Sequence, residues 1–140
     1  MNITHLLENL AQIGSHFHQT TARFQEFYAA VHGILFKHEV TVPTFHVTSI
    51  DDSAFEIRFL DRHYLVELSY SSDFPNGRIE VHRRQHSQRT IDFESKSICT
   101  LSIDHLGNIN KSLLPAEGAE LLLQTIAREV GALPKGSGEY

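Results

Sequence analysis

"AFEIRFLDRHYLVELSYS", residues 54–71, decides the architecture. Phe55, Ile57 and Phe59 alternate with Glu56 and Arg58; Tyr64, Val66, Leu68 and Tyr70 alternate with Glu67 and Ser69. Successive strand side chains point to opposite faces, so a period of two predicts strands with one apolar and one polar face. Only Asp61 and Arg62 separate the two runs, which predicts antiparallel neighbours, because parallel strands need a much longer crossover.

The same alternation extends outward. "FHVTS" (45–49), "RIEVHRRQ" (78–85), "TIDFES" (90–95) and "SICTLSID" (97–104) read as further strands, separated by "DDS", "SSDFPNG", "QHSQR" and "DHLGN". Pro75, Asn76 and Gly77 supply strong turn chemistry. Short links between successive strands predict an antiparallel meander of five or six strands, to which "NINK" (108–111) adds a short pairing. Ile79, Val81, Ile91, Phe93, Cys99, Leu101 and Ile103 continue the apolar face. Glu80, His82, Arg84, Asp92, Glu94, Thr100 and Ser102 continue the polar one. A sheet with this pattern is covered on one side only.

The cover comes from the ends of the chain. Residues 2–37 carry apolar side chains three and four apart, the spacing of one helical face. Ile3, Leu7, Leu10, Gly14, Phe17, Thr21, Phe24, Tyr28, Val31 and Leu35 form a heptad-like seam, weakest at Gly14 and Thr21. Gly14 and Ser15 in "IGSH" (13–16) favour a break into two helices, since glycine disfavours helix interiors and serine favours their starts. Phe17, Phe24, Phe27, Tyr28 and Phe36 are many aromatics for a helix that only covers a sheet; either all of them are core, or the excess over what the sheet buries is an interface. Residues 112–133 form the last helix, with Ser112 as cap, Pro115 in the first turn, and Gly131 and Pro134 at its end. The predicted fold is therefore α+β in two layers. An N-terminal helix or helix pair and a C-terminal helix cover one face of the antiparallel sheet. It spans 1–134 as one domain, with "KGSGEY" (135–140) a flexible tail.

The 140 residues are 41% hydrophobic and 21% charged, with a formal net charge of −5. Within 78–89 four arginines (Arg78, Arg83, Arg84, Arg89) and Glu80 give +3, leaving −8 for the rest. An acidic body with one basic segment is a poor general nucleic-acid binder, because that task needs a broad cationic surface. RNA-reading sheets also expose their aromatics, whereas these aromatics share the covered face. One cysteine, Cys99, excludes an internal disulfide and fits a reducing compartment. The N-terminus lacks the basic start and continuous apolar core of a signal peptide or membrane span, so the expected location is cytoplasmic, with no membrane partner.

Catalytic motifs are missing. The chain has no GxSxG, glycine-rich phosphate loop, CxxC or HExxH. Ten histidines invite a metal, yet His16 and His18 diverge by roughly 200° on a helix. His82 and His86 lie about 13 Å apart along a strand. No metal, cofactor or catalytic residue is assigned. Glu67 and Glu80 form a carboxylate pair across a hairpin without a cleft. The expected function is a non-catalytic, cytoplasmic protein-binding module of adaptor, inhibitor or immunity type. It would be a homodimer that meets another protein through Glu67, Glu80, His82, Arg84, Asp92 and Glu94, with Arg83 and Arg89 at the rim. Two alternatives stand beside it: a small-molecule or nucleotide pocket between helix and sheet using His16, His18 or His46, as a binding domain or an enzyme, and nucleic-acid binding through 78–89. In size and class alone the plan is similar to bacterial type III secretion chaperones, toxin-immunity proteins and phage inhibitors of bacterial defence. The first carry a helix among their strands with no counterpart here.

Overall fold

A computed structural model describes residues 2–37, 45–59, 62–70, 76–86 and 93–131. The chain runs through helix α1 (Ile3–Lys37) and strands β1 (Phe45–Asp51), β2 (Ala54–Phe59), β3 (Arg62–Tyr70), β4 (Gly77–His86) and β5 (Phe93–Ile103). It ends in helix α2 (Pro115–Glu129). The sheet order is β1-β2-β3-β4-β5, each strand antiparallel to the next. This is the expected meander, with helices on one face.

Three expectations are corrected. The N-terminal segment is one 35-residue helix, not two. Gly14 costs about 1 kcal/mol relative to alanine. That is too little to end a helix whose apolar phase continues from Ile13 to Phe17, and Thr21 Oγ1 donates to the Phe17 carbonyl at 2.9 Å along the same ladder. "TIDFES" and "SICTLSID" contribute to one strand, β5, because the ten-residue β4 offers a continuous edge. A bulge absorbs the phase change: Val81 pairs with Cys99 and His82 with Ser97, leaving Ile98 as the extra residue. The last helix starts at Pro115, not Ser112. Ile109 and Leu113 exchange backbone hydrogen bonds of 2.8 and 2.9 Å across a turn at 110–112, which commits Ser112 to that turn and delays the helix. Glu117 Oε1 then accepts the Leu114 N–H at 3.1 Å, and Pro115 takes the first helical position. The "NINK" pairing is present as Ile109 bridging Ile103. Gly131, at φ 83°, lies just past α2. The proposed tail 135–140 lies outside the described residues.

The core follows the alternation. Phe24, Phe27 and Val31 of α1 and Ala119, Leu122 and Ile126 of α2 are fully buried. So are Phe55, Ile57, Tyr64, Val66, Ile79, Val81, Leu101 and Ile103 of the sheet. Phe55 forms tilted ring contacts with Phe24, Phe27 and Tyr28, at centroid distances of 5.6, 6.2 and 5.1 Å. Aromatic side chains therefore pack the helix–sheet space around Phe55. His18 and His46 are exposed, and His16 stacks on His105 at 5.8 Å.

α1 is longer than its cover. At 1.5 Å per residue it extends about 52 Å, against about 19 Å across five strands. Its buried residues start at Thr20, and every position from 2 to 13 is exposed. The bare part includes Ile3, Leu6, Leu7, Leu10 and Ile13. No helix of the described residues is long and apolar enough to cross a membrane.

Candidate functional site on the open face of the sheet

Register sorts the polar side chains into rows across the strands. Arg58 pairs with His46 and His63, and His63 with Arg84. The next row runs Thr48, Glu56, Leu65, His82 and Ser97. Glu67, Glu80 and Thr100 form a third, and Ser69, Arg78 and Ser102 a fourth. A basic row thus borders two rows holding three carboxylates, and Arg78 closes the far side.

These groups bond to one another. His63 Nδ1 lies 3.1 Å from Glu56 Oε1. His82 Nε2 lies 3.2 Å from Glu67 Oε1 and 3.4 Å from Glu80 Oε2, while Arg78 Nη2 reaches Glu80 Oε1 at 2.8 Å. Glu67 and Glu80 are direct cross-strand partners. Like charges in that position repel. Arg78 offsets this at Glu80, whereas His82, a cation only when protonated, is the one partner of Glu67 among the ion pairs of the described residues. One ligand atom each from Glu67, Glu80 and His82 fall within 4.8 Å of one another. Two carboxylates and an imidazole at this spacing suit a cation: an ammonium or guanidinium group, or a divalent metal.

The sequence reading brought Glu67, Glu80, His82 and Arg84 to this face, and the structure puts them in adjacent rows. It measured histidines against each other, and so missed His82 with the two glutamates. Glu56, His63 and the half-buried Leu65 were also missed as site residues. The alternation signalled Glu56, but the His63 contact needs the β2–β3 register. Position 94 pairs in the backbone with Gln85, so the Ile98 bulge puts it in phase with Arg83 instead of Glu80. Arg89 and Asp92 lie outside the described residues.

The described arginines of the basic segment take separate places. Arg78 serves Glu80, and Arg84 stands beside His63 on the open face. Arg83 points to the covered side, where its Nη1 lies 2.8 Å from Glu129 Oε1 at the end of α2. Arg62 Nη1 donates to the Glu129 carbonyl at 3.1 Å. Burial raises the Tyr64 hydroxyl above the ordinary tyrosine value in this neighbourhood, partly countered by Arg62. Burial also pushes the half-buried Cys99 thiol up to about 11, so it is a poor nucleophile near neutrality.

Comparison with protein-family models, curated proteins and solved structures finds no match to this chain.

Proposed function

We propose that the chain is a non-catalytic, cytoplasmic protein-binding module whose open sheet face receives a basic patch of another protein, occluding or bridging that partner. The observation that carries this reading is the directly opposed Glu67–Glu80 pair. Two carboxylates held together with one shared imidazole attract a further cation, and a partner's Lys or Arg supplies one. Half-buried Leu65, one row away, offers apolar contact. The ion pairs fix the face before a partner arrives, which lowers the entropy cost of binding. The net charge of −5 steers approach to a basic surface and sets a salt-dependent on-rate. A single thiol fits the cytoplasm.

Titrating labelled protein with a short arginine-rich peptide tests the reading by amide NMR. Shifts are expected at Glu67, Glu80, His82 and Leu65, fading with salt and abolished in Glu67→Lys/Glu80→Lys. Shifts that spread over the acidic surface and survive that double substitution would overturn it.

A further inference from the structure

We infer that the bare N-terminal half of α1 is a self-association surface, and that a second copy of the chain covers it as an antiparallel helix pair centred on Leu10. This stands apart from the sheet-face reading, since it uses another surface. Ile3, Leu6, Leu7, Leu10, Ile13 and Phe17 are each 40–69% exposed and lie on one side of the helix. Between residues 2 and 22 the one Asp, Glu, Lys or Arg is Glu8. A stretch this short and this weakly charged, interrupted by Gly14, is marginal as a lone helix in water. Its apolar side needs a cover.

The geometry at the end of the stripe identifies that cover. The stripe's last member, Phe17, stacks on Tyr70 of β3 with ring centroids 4.8 Å apart, and Tyr70 Oη donates to the Phe17 carbonyl at 3.2 Å. The exposed stripe thus faces the same side as the protein's own sheet. A parallel partner helix would run into that sheet as it continued past residue 17. An antiparallel one stops there with its N-terminus against the sheet edge. Centring the twofold on Leu10 overlaps the full stripe. Ile3 then meets Phe17 of the partner subunit and Leu7 meets Ile13 of the partner subunit. Leu6 meets Gly14 of the partner subunit, a large residue against a small one, as interdigitating layers require. Glu8 meets Gln12 of the partner subunit instead of a second carboxylate. The weak point of the seam thus becomes a socket.

The area fits a weak interface. The six side chains expose about three residues' worth of surface, at most roughly 600 Å² per copy when each is given the aromatic value of about 200 Å². The pair would bury no more than about 1,200 Å², at or below the lower end of specific interfaces. The dimer should therefore dissociate on dilution.

Light scattering across a concentration series is the first test. The expected mass moves from twice 15.9 kDa toward 15.9 kDa on dilution. Leu10→Glu, which sets two carboxylates against each other on the axis, should give monomer at every concentration with the same cooperative unfolding of the sheet. In a Cys99→Ala background, Leu10→Cys should form a disulfide-linked dimer on mild oxidation. Ile3→Cys or Phe17→Cys alone should not, while a mixture of the two should. Glu67→Lys/Glu80→Lys should leave the mass unchanged, so failure of either proposal is visible by itself. A wild-type monomer at high concentration, a Leu10→Glu dimer, or self-linking by Ile3→Cys alone would overturn the inference.

Discussion

Gly118→Ala in α2 should destabilise the protein, although alanine is the better helix former. Gly118 is buried in the first turns of the helix, and a Cβ built there meets Ile109 Cγ1 at 2.6 Å, Cβ at 2.9 Å and Cγ2 at 3.0 Å. Ile109 has no room to yield. It is fully buried, its branched side chain is stiff, and its backbone bridges Ile103 on one side and Leu113 on the other. The helical preference contributes at most about 1 kcal/mol in favour of alanine. Overpacking a close-packed site costs typically about 1–3 kcal/mol. The net expectation is a loss of roughly 1–2 kcal/mol, a fall in Tm of about 3–8 °C for a chain of this size. Urea unfolding followed by circular dichroism reads the loss directly, with an unchanged m-value. A cycle with Ile109→Ala isolates the cause. That change alone costs about 2–5 kcal/mol by opening a cavity. In its background the clash with both γ carbons is gone and only the 2.9 Å approach to the Cβ remains, next to a cavity that lets residue 109 shift, so Gly118→Ala should cost clearly less than in the wild type. Equal destabilisation in both backgrounds, or a more stable single variant, would refute the packing argument.

Arg83 and Glu129 should couple. Their side chains are 25% and 18% exposed, so a cycle of Arg83→Ala and Glu129→Ala is expected to give about 1–2 kcal/mol, above the range for exposed pairs. Cys99 should react with a disulfide reagent far more slowly in the folded than in the urea-unfolded protein at pH 8, because burial holds the folded thiol near 11 against an ordinary 9.0. The folded state disfavours that thiolate. Its contribution to stability is thus complete below about pH 9 and is lost as pH rises toward 11, which unfolding curves across that range would show. Tyr64 and Tyr70 act in the same direction from 10.0 upward, and ultraviolet titration should show tyrosinate forming later in the folded protein than in urea.

Alternation carried most of the fold, because a one-sided sheet imposes its burial on every second residue. Phe55, Ile57, Tyr64, Val66, Ile79, Val81, Leu101 and Ile103 were all legible in this way. Features that depend on three-dimensional register were not. One inserted residue, Ile98, reverses the phase of everything before it in β5, and nothing local in "SKSIC" signals it. The helix break at Gly14 failed because a local penalty of about 1 kcal/mol competes with a continuous apolar stripe. In the candidate site, parity found the face. The meeting of His82 with Glu67 and Glu80 requires knowing that residues 67 and 80 are partners across the hairpin. Alternation from Ile79 and Val81 leads to Arg83 on the covered side, but its partner lies 46 residues away at the end of α2.

The meander has a consequence for how the chain is made. Each strand pairs with its neighbour in sequence, so each hairpin can close as soon as it leaves the ribosome. α1 is synthesised first, yet it packs against α2, which is synthesised last among the described elements. Phe24 and Phe27 gain Phe55 as cover once β2 has formed, but the side of α1 that meets α2 stays open until Ala119, Leu122 and Ile126 have emerged. The nascent chain therefore presents that side of α1 through most of elongation, and a ribosome-bound chaperone would meet it.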